Sequence, residues 1–381
     1  MSFDYQTACN WLEDSTGFTR PYQRKNRPLD GAVSAYWKEV AAKLDSPQRN
    51  YRLVKVAGSK GKGITASLVA AALQGAENSV GLSTSPHLVD QRERVLIDGE
   101  MASDGEFANA IESVSQAAFD NESRTYFGAM MCAGLVAFAN AGVDVAVVEC
   151  GMGGGNDATG FLDADVTVLT GVEREHTVQL GTDIAGIAYE KAAAAAKRTP
   201  LVVPSLVPEA EEGVLRAAEE RELEIVRVDT NGLDARNACE ALATIACGLS
   251  QLPFKTHGLS DVLVPCRDDE RLVHGAKVVF DGAHTVDSLV RIGSRYGDGS
   301  RSLLFSCTPG RDARVLAQAP GSGWKRLYYA GKGEPPYGFQ PISMAAIRTL
   351  VEQGGSFVVT GSFHFAGDVM SLLGIAPYRQ R

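Results

Sequence analysis

Short runs of β-branched residues and longer runs rich in alanine and leucine alternate along the chain from about Tyr51 onward. Short continuous apolar runs are typical of strands buried on both faces, and longer ones are typical of helices. The pattern predicts strands at 51–57, 78–84, 143–149, 164–170 and 199–203. It predicts helices at 64–76, 125–142, 183–198 and 234–249, with a further helix and strand within 207–228. This alternation indicates an α/β domain with a mostly parallel central sheet.

The periodicity is lost at about 250–275, where proline, glycine and charged residues mix, and we interpret this stretch as a linker with one short strand. The alternation then resumes, with strands predicted at 276–281, 302–307, 325–330 and 356–360. Helices are predicted after His284 and at 311–318, 341–353 and 364–373. Because 381 residues are more than one core usually supports, we expect two α/β domains, at 1–262 and 263–381, the second smaller and Rossmann-like.

Composition narrows the classes of protein to which this chain can belong. Hydrophobic residues make up 45% and charged residues 22%, which excludes a disordered chain, a collagen-like repeat and a coiled coil. The net charge of −9, without a long run of one sign, argues against nucleic acid as a partner. The seven cysteines are scattered and form no CxxC pair, so neither a disulfide framework nor a zinc finger fits. No signal segment or apolar span is visible, and we expect a cytoplasmic monomer without a membrane partner.

The most informative local motif is a glycine-rich loop between a predicted strand and a predicted helix. The strand ends at Ala57, and the loop and helix start comprise Gly58, Ser59, Lys60, Gly61, Lys62, Gly63, Ile64 and Thr65. Glycines let backbone amides turn toward phosphate oxygens, the helix N-terminus adds partial positive charge, and Lys62 can reach the β- and γ-phosphates. The spacing departs from a standard Walker motif, because Gly63 and Ile64 follow the lysine. A turn that only caps the helix is the alternative, but the lysine and the flanking elements favour nucleotide binding.

Two further polar residues follow predicted strands of the same sheet. Glu149 ends one strand, and His176 lies in the loop after another. Because open parallel sheets bind ligands at the carboxyl edge, both side chains are expected beside the glycine-rich loop. For either residue alone, an ion pair with a lysine or a hydrogen bond within a loop is an adequate explanation. Their common register with the loop favours a metal site.

Six motifs, in order from about residue 50 to residue 374, resemble those of the Mur ligase superfamily, and specifically of dihydrofolate synthase/folylpolyglutamate synthase. The loop AGSKGKGIT resembles that family's GTNGKGS, and TSPHL followed by RER resembles its TSPHL element. ECGMGGGNDATG resembles EVGLGGRLDATN, and EREHTVQLG followed by EKA resembles a GLDHTEILG element. DGAHTVD resembles DGAHNPD, and FVVTGSFHFAGDVMSLLG resembles the closing strand and helix. The resemblance implies a divergent, shortened member with a P-loop ATPase domain of Mur ligase type before the smaller domain.

The resemblance implies a metal site. It makes Ser85, Glu149 and His176 ligands of Mg²⁺, a hard cation that prefers oxygen ligands and tolerates one imidazole. It also implies that Lys191 can be carbamylated, which turns a cation into a carboxylate able to bridge a second Mg²⁺. A solvated helix lysine is the alternative.

The resemblance also implies contacts with the substrates. Asp281 and His284 of the DGAH motif would face the ATP phosphates and the incoming amino acid across a cleft between the domains. Arg267 matches an arginine that contacts the nucleotide, and an ion pair with one of the two aspartates that follow it is the alternative. Asp157 and Thr159 would contact the nucleotide or support residues that do.

The activity that the resemblance implies is ATP-dependent amide formation between small molecules. A carboxylate attacks the γ-phosphate to form an acyl phosphate, the amine of an amino acid attacks the acyl carbon, and phosphate leaves. The implied amino acid is glutamate, and the implied acid is dihydropteroate or a folate. The catalytic residues would be Lys62, His176, Lys191, Asp281 and His284.

Several positions depart from the family pattern. They are Ile64 for serine, Gly155 for arginine, Glu175 for aspartate, Thr285-Val286 for Asn-Pro, and Asn237 in a helix without the family's HQ pair. Because these positions bear on nucleotide, metal or acid binding, two alternatives stay open. One is a ligase of the same mechanism that uses a non-folate acid, and the other is a non-catalytic nucleotide-binding relative. The joint presence of all the candidate catalytic residues favours an active ligase.

Overall fold

The computed structural model describes residues 2–15, 30–308, 310–378 and 381, and every candidate site residue lies within these ranges. The described residues form two compact units. Unit 1 contains the residues up to Ser85, Arg94–Val262 and Arg381, and unit 2 contains Pro86–Glu93 and Leu263–Tyr378. The short segment Pro86–Glu93 thus belongs to unit 2, although a strand of unit 1 precedes it in the sequence.

Unit 1 is built on an eight-stranded sheet. Its strands are β1 (Arg52–Ala57), β2 (Val80–Ser83), β3 (Leu96–Ile97), β4 (Glu100–Met101), β5 (Val145–Glu149), β6 (Val166–Leu169), β7 (Pro200–Val203) and β8 (Glu224–Arg227). They lie in the order β4-β3-β2-β5-β1-β6-β7-β8. The neighbouring strands in the part β2-β5-β1-β6-β7-β8 are all parallel. At the other end of the sheet, β3 and β4 form an antiparallel edge. The prediction of an α/β fold with a mostly parallel central sheet is confirmed.

The helices of unit 1 flank this sheet. They are α1 (Tyr5–Ser15), α2 (Ala32–Lys43), α3 (Lys62–Gln74), α4 (Asp104–Ala117), α5 (Tyr126–Ala141), α6 (Thr177–Leu180), α7 (Ile184–Ala192), α8 (Pro208–Arg221) and α9 (Ala235–Leu249). Side chains that accept a first-turn amide precede α4, α5, α7 and α9, namely Ser103, Thr125, Asp183 and Asp234. None of the helices in the described ranges is long and apolar enough to cross a membrane. The central strand β1 is buried from Leu53 to Ala57, so the loop after it lies at the middle of the carboxyl edge.

The helix predicted at 183–198 is wrong beyond Ala192, where α7 ends. The physical reason is a buried lysine in β1, because a buried ammonium needs hydrogen-bond acceptors. Lys55 is fully buried, and its Nζ donates to Ala194 O at 2.7 Å and to Thr159 O at 3.0 Å. The chain leaves the helix where the Ala194 carbonyl turns toward this ammonium.

Unit 2 is built on a six-stranded sheet in the order β13-β12-β11-β14-β10-β9. Its strands are β9 (Asp269–Val273), β10 (Ala276–Phe280), β11 (Ser302–Phe305), β12 (Arg326–Tyr329), β13 (Gln340–Pro341) and β14 (Ser356–Thr360). Its helices are α10 (Val286–Tyr296), α11 (Ala313–Gln318), α12 (Met344–Glu352) and α13 (Phe363–Leu372). The one short strand expected within 250–275 is β9, and it pairs antiparallel with β10. The turn that joins them places His274 and Gly275 at positive φ, 50° and 83°.

Candidate functional site

The glycine-rich loop joins the carboxyl end of β1 to the first turn of α3 in unit 1. The helix begins at Lys62, two residues before the predicted start at Ile64. Gly58 and Gly61 have φ values of 140° and 84°, which other residues rarely adopt. A Cβ at Gly58 would lie 2.1 Å from Thr170 Oγ1, so this position has room for glycine alone. The loop therefore turns tightly into a helix N-terminus, where the first amides have no intrahelical partner and can bind an anion.

The loop after β6 holds the glycine-rich loop in place. Thr170 Oγ1 donates to Lys60 O at 2.5 Å, and Ser59 N donates to Gly171 O at 3.0 Å. Glu173 N donates to Ser59 Oγ at 2.9 Å, and Lys60 Nζ pairs with a Glu173 carboxylate oxygen at 2.7 Å. Both side chains of this ion pair are about half exposed, so the pair adds little to stability. The hydrogen bonds between the two loops fix the shape of the glycine-rich turn.

Two lysine side chains converge on the carbonyl oxygen of Gly58. Lys62 Nζ donates to Gly58 O at 2.9 Å and to Ser59 O at 3.3 Å. Lys191 Nζ donates to the same Gly58 O at 3.1 Å and pairs with Glu175 Oε1 at 2.8 Å. Lys191 is only 1% exposed, so the alternative of a solvated helix lysine is wrong. The structure thus brings both lysines to the glycine-rich loop.

The protonation of the Lys191–Glu175 pair follows from burial and mutual attraction. Burial lowers the pKa of Lys191, and the carboxylate of Glu175 opposes this shift without cancelling it. Burial alone would raise the pKa of Glu175, but the ammonium of Lys191 and its hydrogen bond bring that pKa below its usual value. Lys191 therefore gives up its proton more readily than an exposed lysine does, and Glu175 holds its negative charge to lower pH than an exposed glutamate does.

Glu149 lies at the carboxyl end of β5, the strand next to β1. It is 5% exposed, and its Oε2 accepts a hydrogen bond from Ser85 N at 2.8 Å. A Cβ added at Gly63 would lie 3.6 Å from the same oxygen. The structure therefore brings Glu149, Ser85 and the first turn of α3 together at one edge of the sheet.

The family pattern has a serine hydroxyl directly after the glycine of the loop. This chain has Ile64 at that position, and Thr65 carries the next hydroxyl along the chain. Thr65 is fully buried, and its Oγ1 has no hydrogen-bond partner within the described part of the chain. Gly63 and Thr65 both lie in α3, and a Cβ at Gly63 would point to Glu149. Residues two apart in an α-helix point in nearly opposite directions, so the side chain of Thr65 points away from the Glu149 side of Gly63. Thr65 is therefore poorly placed to replace the missing serine beside Glu149.

His176 is exposed, has a φ of 48° and directly precedes α6. After the larger effect of Lys191, a Coulomb interaction with His176 also contributes to the lowered pKa of Glu175. No three side chains among the His, Cys, Asp and Glu residues of the described ranges are arranged to hold a metal ion. The expected metal ligands Ser85, Glu149 and His176 include only two residues of these four types. The metal site that they would form stays a prediction. A buried carboxylate beside a serine is a donor set that suits Mg²⁺, because this ion prefers oxygen.

Asp157 and Thr159 support the turn that follows Glu149. Both are buried, and Asp157 Oδ1 accepts hydrogen bonds from Thr159 N at 2.7 Å and from Thr159 Oγ1 at 2.6 Å. Asp157 Oδ2 accepts from Gly151 N at 2.8 Å. Burial raises the pKa of Asp157 in spite of these bonds. Of the two implied roles, the contacts favour support of the turn over contact with a nucleotide.

Gly155 stands where the family has arginine, and the packing explains why a small residue fits here. A Cβ at Gly155 would lie 2.9 Å from Ala193 Cβ, so a side chain would force the segment after α7 to shift. The next residue, Asn156, donates from its backbone and its side chain to the Glu190 carboxylate, at 2.7 Å and 2.6 Å. This pairing attaches the turn after β5 to the helix that carries Lys191.

In unit 2, Asp281 follows β10 and is 2% exposed. Its Oδ1 accepts from Ala283 N at 2.8 Å, and its Oδ2 accepts from Asp268 N at 3.0 Å and from Arg291 Nη2 at 3.3 Å. Burial raises the pKa of Asp281, and Arg291 opposes the shift. Both oxygens are thus engaged within unit 2, in the turn that carries the DGAH motif.

His284 and Arg267 also lie in unit 2, and each has a defined partner. His284 Nδ1 is 2.8 Å from Gly282 O, which assigns the proton to Nδ1 and leaves Nε2 for a ligand. The guanidinium carbon of Arg267 lies 4.0 Å from the ring centroid of Phe363. The alternative of an ion pair from Arg267 is wrong, because other arginines occupy the two aspartates: Asp268 pairs with Arg291 and Arg295, and Asp269 pairs with Arg271.

Sequence reasoning missed four residues that shape these sites, namely Thr170, Glu173, Glu190 and Phe363. Thr170 ends a predicted strand at the same sheet edge as the glycine-rich loop, and Glu173 follows it, so their position was a usable signal. Phe363 had no such signal, because an aromatic residue at a helix start is more often part of a core.

The chain is similar to known proteins in sequence and in structure. No family model matches the chain. The chain is similar to the dihydrofolate synthase/folylpolyglutamate synthase of Mycobacterium tuberculosis, with 35% identity over 296 residues, 71% of this chain and 59% of the relative. It spans about a quarter of two archaeal relatives, which are longer bifunctional proteins. The chain thus covers less than two thirds of the length of these curated relatives.

Solved structures match over nearly the full chain. The Escherichia coli FolC protein in complex with DHPP and ADP has a TM-score of 0.80 at 25% identity, over 98% of both chains. A bifunctional folylpolyglutamate synthase/dihydrofolate synthase with Mn, AMPPNP and L-glutamate bound has a TM-score of 0.80 at 23% identity, also over 98% of both chains. These likenesses extend through both units.

Proposed function

Because the chain belongs to the dihydrofolate synthase/folylpolyglutamate synthase family of Mur ligase-type enzymes, we propose that it is an ATP-dependent ligase that forms an amide bond. The carboxylate of an acid attacks the γ-phosphate of ATP, which gives an acyl phosphate and ADP. The amine of an amino acid then attacks the acyl carbon, phosphate leaves, and the amine loses a proton. The proposed amino acid is glutamate, and the proposed acid is dihydropteroate or a folate.

The position of Lys62 carries this proposal. Its ammonium lies on the glycine-rich loop, 2.9 Å from Gly58 O, at the N-terminus of α3. A helix N-terminus and a lysine together attract phosphate groups, and a fixed cation stabilises charge that develops on a transferred phosphoryl group. Lys62 releases the loop carbonyls when phosphate oxygens take their place.

The choice of substrates rests on relatives with bound ligands. The E. coli protein was solved with DHPP and ADP, and a second relative with Mn, AMPPNP and L-glutamate. DHPP, an amino acid, an adenine nucleotide and a metal represent the three substrates and the metal cofactor of the proposed ligation. We transfer these four ligand classes to this chain.

We propose that Ser85, Glu149 and His176 hold a Mg²⁺ ion. The buried Glu149 carboxylate supplies the negative charge, and its hydrogen bond from Ser85 N keeps the serine at the same place. Such an ion offsets the negative charge of the transferred phosphoryl group. Because Ile64 removes one hydroxyl and Thr65 points away from Glu149, Ser85 is the hydroxyl ligand that the described contacts favour.

We further propose that Lys191 is carbamylated and that its carbamate serves a second Mg²⁺. The neutral amine adds to CO₂, an N–C bond forms, and the amine proton leaves to solvent. Burial lowers the pKa of Lys191 and so favours the neutral amine that reacts. The product would place a carbamate beside Glu175, 2.8 Å from the present ammonium. A carbamate and a carboxylate side by side repel each other unless a cation lies between them.

Each unit has a proposed role in this reaction. Unit 1 is the ATP-binding domain, and unit 2 is the C-terminal domain of Mur ligase type. In unit 2, Arg267 binds a phosphate group of the nucleotide, and His284 offers Nε2 to a phosphate or to the amino acid. Asp281 keeps the DGAH turn and the Arg267 turn in register through its hydrogen bonds to Ala283 N and Asp268 N.

We propose small molecules as the only partners of a monomeric, cytoplasmic enzyme. The net charge of −9 supports the absence of nucleic acid from the reaction. All seven cysteines are free thiols and six of them are buried, which suits a reducing compartment. Light scattering at working concentration tests the monomer, and a second species of twice the mass would contradict it.

The test of the function is release of ADP and phosphate. The protein is incubated with ATP, Mg²⁺, glutamate and either dihydropteroate or a tetrahydrofolate, and the product is identified by mass spectrometry. We expect ADP release that requires all components and a product heavier than the acid by one glutamyl residue. If ATP binds in calorimetry and no acid supports turnover, the non-catalytic alternative is correct instead.

A second candidate function is the same ligation with a non-folate acid. The observation that favours it is the start of α10, where Thr285 and Ser288 form a reciprocal cap in place of the family's Asn-Pro. A panel of carboxylic acids, tested for ADP release with glutamate and with other amino acids, separates the two functions. ADP release with another acid and none with a pteroate compound would establish the second.

Replacement of Glu149 by glutamine is expected to raise the Mg²⁺ concentration for half-maximal rate by about 10-fold or more, because loss of one anionic ligand weakens the site. The amide keeps the shape of the side chain. The matched control is Asp165→Asn, which alters a carboxylate at the opposite, amino edge of the sheet, where it accepts from Leu53 N at 2.7 Å. The Mg²⁺ dependence of the control should equal that of the wild type. Equal curves for all three proteins would exclude Glu149 as a ligand.

A further inference from the structure

The ring of Phe363, the first residue of α13, lies against two residues of the proposed site in unit 2. A Cβ at Gly282, in the DGAH motif, would lie 2.1 Å from Phe363 Cε1, so the ring packs directly on that glycine. The guanidinium carbon of Arg267 lies 4.0 Å from the ring centroid. Arg267 Nη1 donates to Cys266 O at 3.2 Å. An aromatic face attracts a guanidinium without using its N–H groups, so the other donors of Arg267 stay available for an anion.

The turn that carries Arg267 is held from both sides. Its neighbours Cys266 and Asp268 have φ values of 57° and 51°, in the left-handed region that strains residues other than glycine. Gly282 N donates to Cys266 O at 3.0 Å, and Asp281 Oδ2 accepts from Asp268 N at 3.0 Å. The DGAH motif thus holds the backbone before and after Arg267, and these hydrogen bonds offset the strain.

The same ring also contacts the histidine of the motif. The ring centroids of His284 and Phe363 are 5.9 Å apart, with an angle of 60° between the planes. Such a tilted arrangement is a favourable aromatic contact. Phe363 therefore contacts the arginine, the glycine and the histidine of the site from a single helix position.

We propose that Phe363 is a positioning residue that orders the guanidinium of Arg267, and with it the imidazole of His284, for an anionic ligand. This inference rests on the proposed function for the identity of that ligand, the phosphate group of a nucleotide. Phe363 itself contributes no polar atom to the ligand. Its effect is to keep Arg267 in one orientation, so that binding does not have to order a long, flexible side chain.

The first test compares Phe363→Leu with Phe363→Tyr in the full chain. Leucine keeps an apolar side chain but removes the ring face, and we expect the KM for ATP to rise about 10-fold with kcat changed less than about 2-fold. Tyrosine keeps the ring face and should stay close to the wild type. The control is Phe357→Leu, a 4% exposed core position on β14, which should lower the melting temperature without a change in KM.

A double-mutant cycle with Arg267→Gln separates positioning from a general structural effect. If Phe363 acts through Arg267, Phe363→Leu has no further effect on the KM for ATP once the arginine is gone. The proposal would be refuted if Phe363→Leu raised the KM for ATP by the same factor in the Arg267→Gln background as in the wild type. It would also be refuted if Phe363→Leu alone had the wild-type KM for ATP.

A nucleotide-free readout keeps this proposal separate from the proposed function. The Nε–Hε resonance of Arg267, assigned by its loss in Arg267→Gln, should be shifted by the ring and should move and broaden in Phe363→Leu. An unshifted wild-type resonance would refute the positioning role even in an active enzyme. A shifted resonance in a protein that consumes no ATP would support the positioning role and refute the ligase function alone.

Discussion

Replacement of Lys62 by methionine should lower kcat/KM for ATP by about 10²- to 10³-fold, the usual effect of removing a fixed cation from a transferred group. Methionine keeps most of the side-chain length and removes the charge. In the structure the ammonium lies on Gly58 O and Ser59 O, at the helix N-terminus where phosphate would bind. Turnover is measured by ADP release under saturating acid and amino acid.

The control for Lys62→Met is Lys197→Ala, which removes an exposed lysine of unit 1 far along the chain from the loop. Its turnover should equal that of the wild type. Calorimetry with ATP then locates the effect: weaker binding places Lys62 on the bound nucleotide, and unchanged binding with slow turnover places it on the transition state. A methionine variant with wild-type kcat/KM would contradict the assignment of the loop as a phosphate site.

The fold and the geometry of the glycine-rich loop could be predicted from the sequence because both rest on local signals. The apolar run of β1, the glycines and Lys62 are contiguous, and the constraints on Gly58 and Gly61 are those expected of a turn with positive φ. The strand that ends at Glu149 carries the same kind of signal. Local patterns of this kind depend little on the rest of the chain.

Other features depend on contacts between distant segments, and no local pattern reports them. Lys55 sits in an apolar strand and ends α7 early by taking the carbonyl of Ala194, 139 residues away. Pro86–Glu93 belongs to unit 2, where three backbone amides donate to the Glu93 carboxylate and close the segment on itself. Phe363 joins the site only because Gly282 and Arg267 lie beside it in the fold.

Three of the departures from the family pattern have separate physical explanations. Gly155 removes a side chain where Ala193 leaves no room for one. Glu175, one methylene longer than aspartate, reaches the buried ammonium of Lys191. Thr285 supplies the cap that starts α10. No described contact explains Ile64, and it is the departure that bears most directly on metal binding.

Replacement of Lys191 by alanine is expected to lower turnover by about 10²- to 10³-fold, because the residue lies fully buried beside the glycine-rich loop that we propose binds phosphate. The loss has two sources. Glu175 is left without its ammonium, 27% exposed at the edge of the site, and the carbamate proposed for Lys191 can no longer form. ADP release by the variant, with a melting curve to confirm folding, measures the combined effect.

Chemical rescue of Lys191→Ala separates the two forms of the side chain. Suppose first that the wild-type enzyme uses a carbamate. Addition of acetate or formate, which can occupy the vacated space, should then restore part of the turnover, because each supplies the missing anionic oxygens. The restored fraction should increase with added Mg²⁺. If the wild-type enzyme uses the ammonium, methylammonium should rescue instead by pairing with Glu175. Wild-type protein in ¹³C-labelled bicarbonate gives the direct check, a carbamate resonance that the alanine variant lacks. Rescue by the amine together with no such resonance would leave Lys191 as a cation that anchors Gly58 O, and the second metal ion would then lose its ligand.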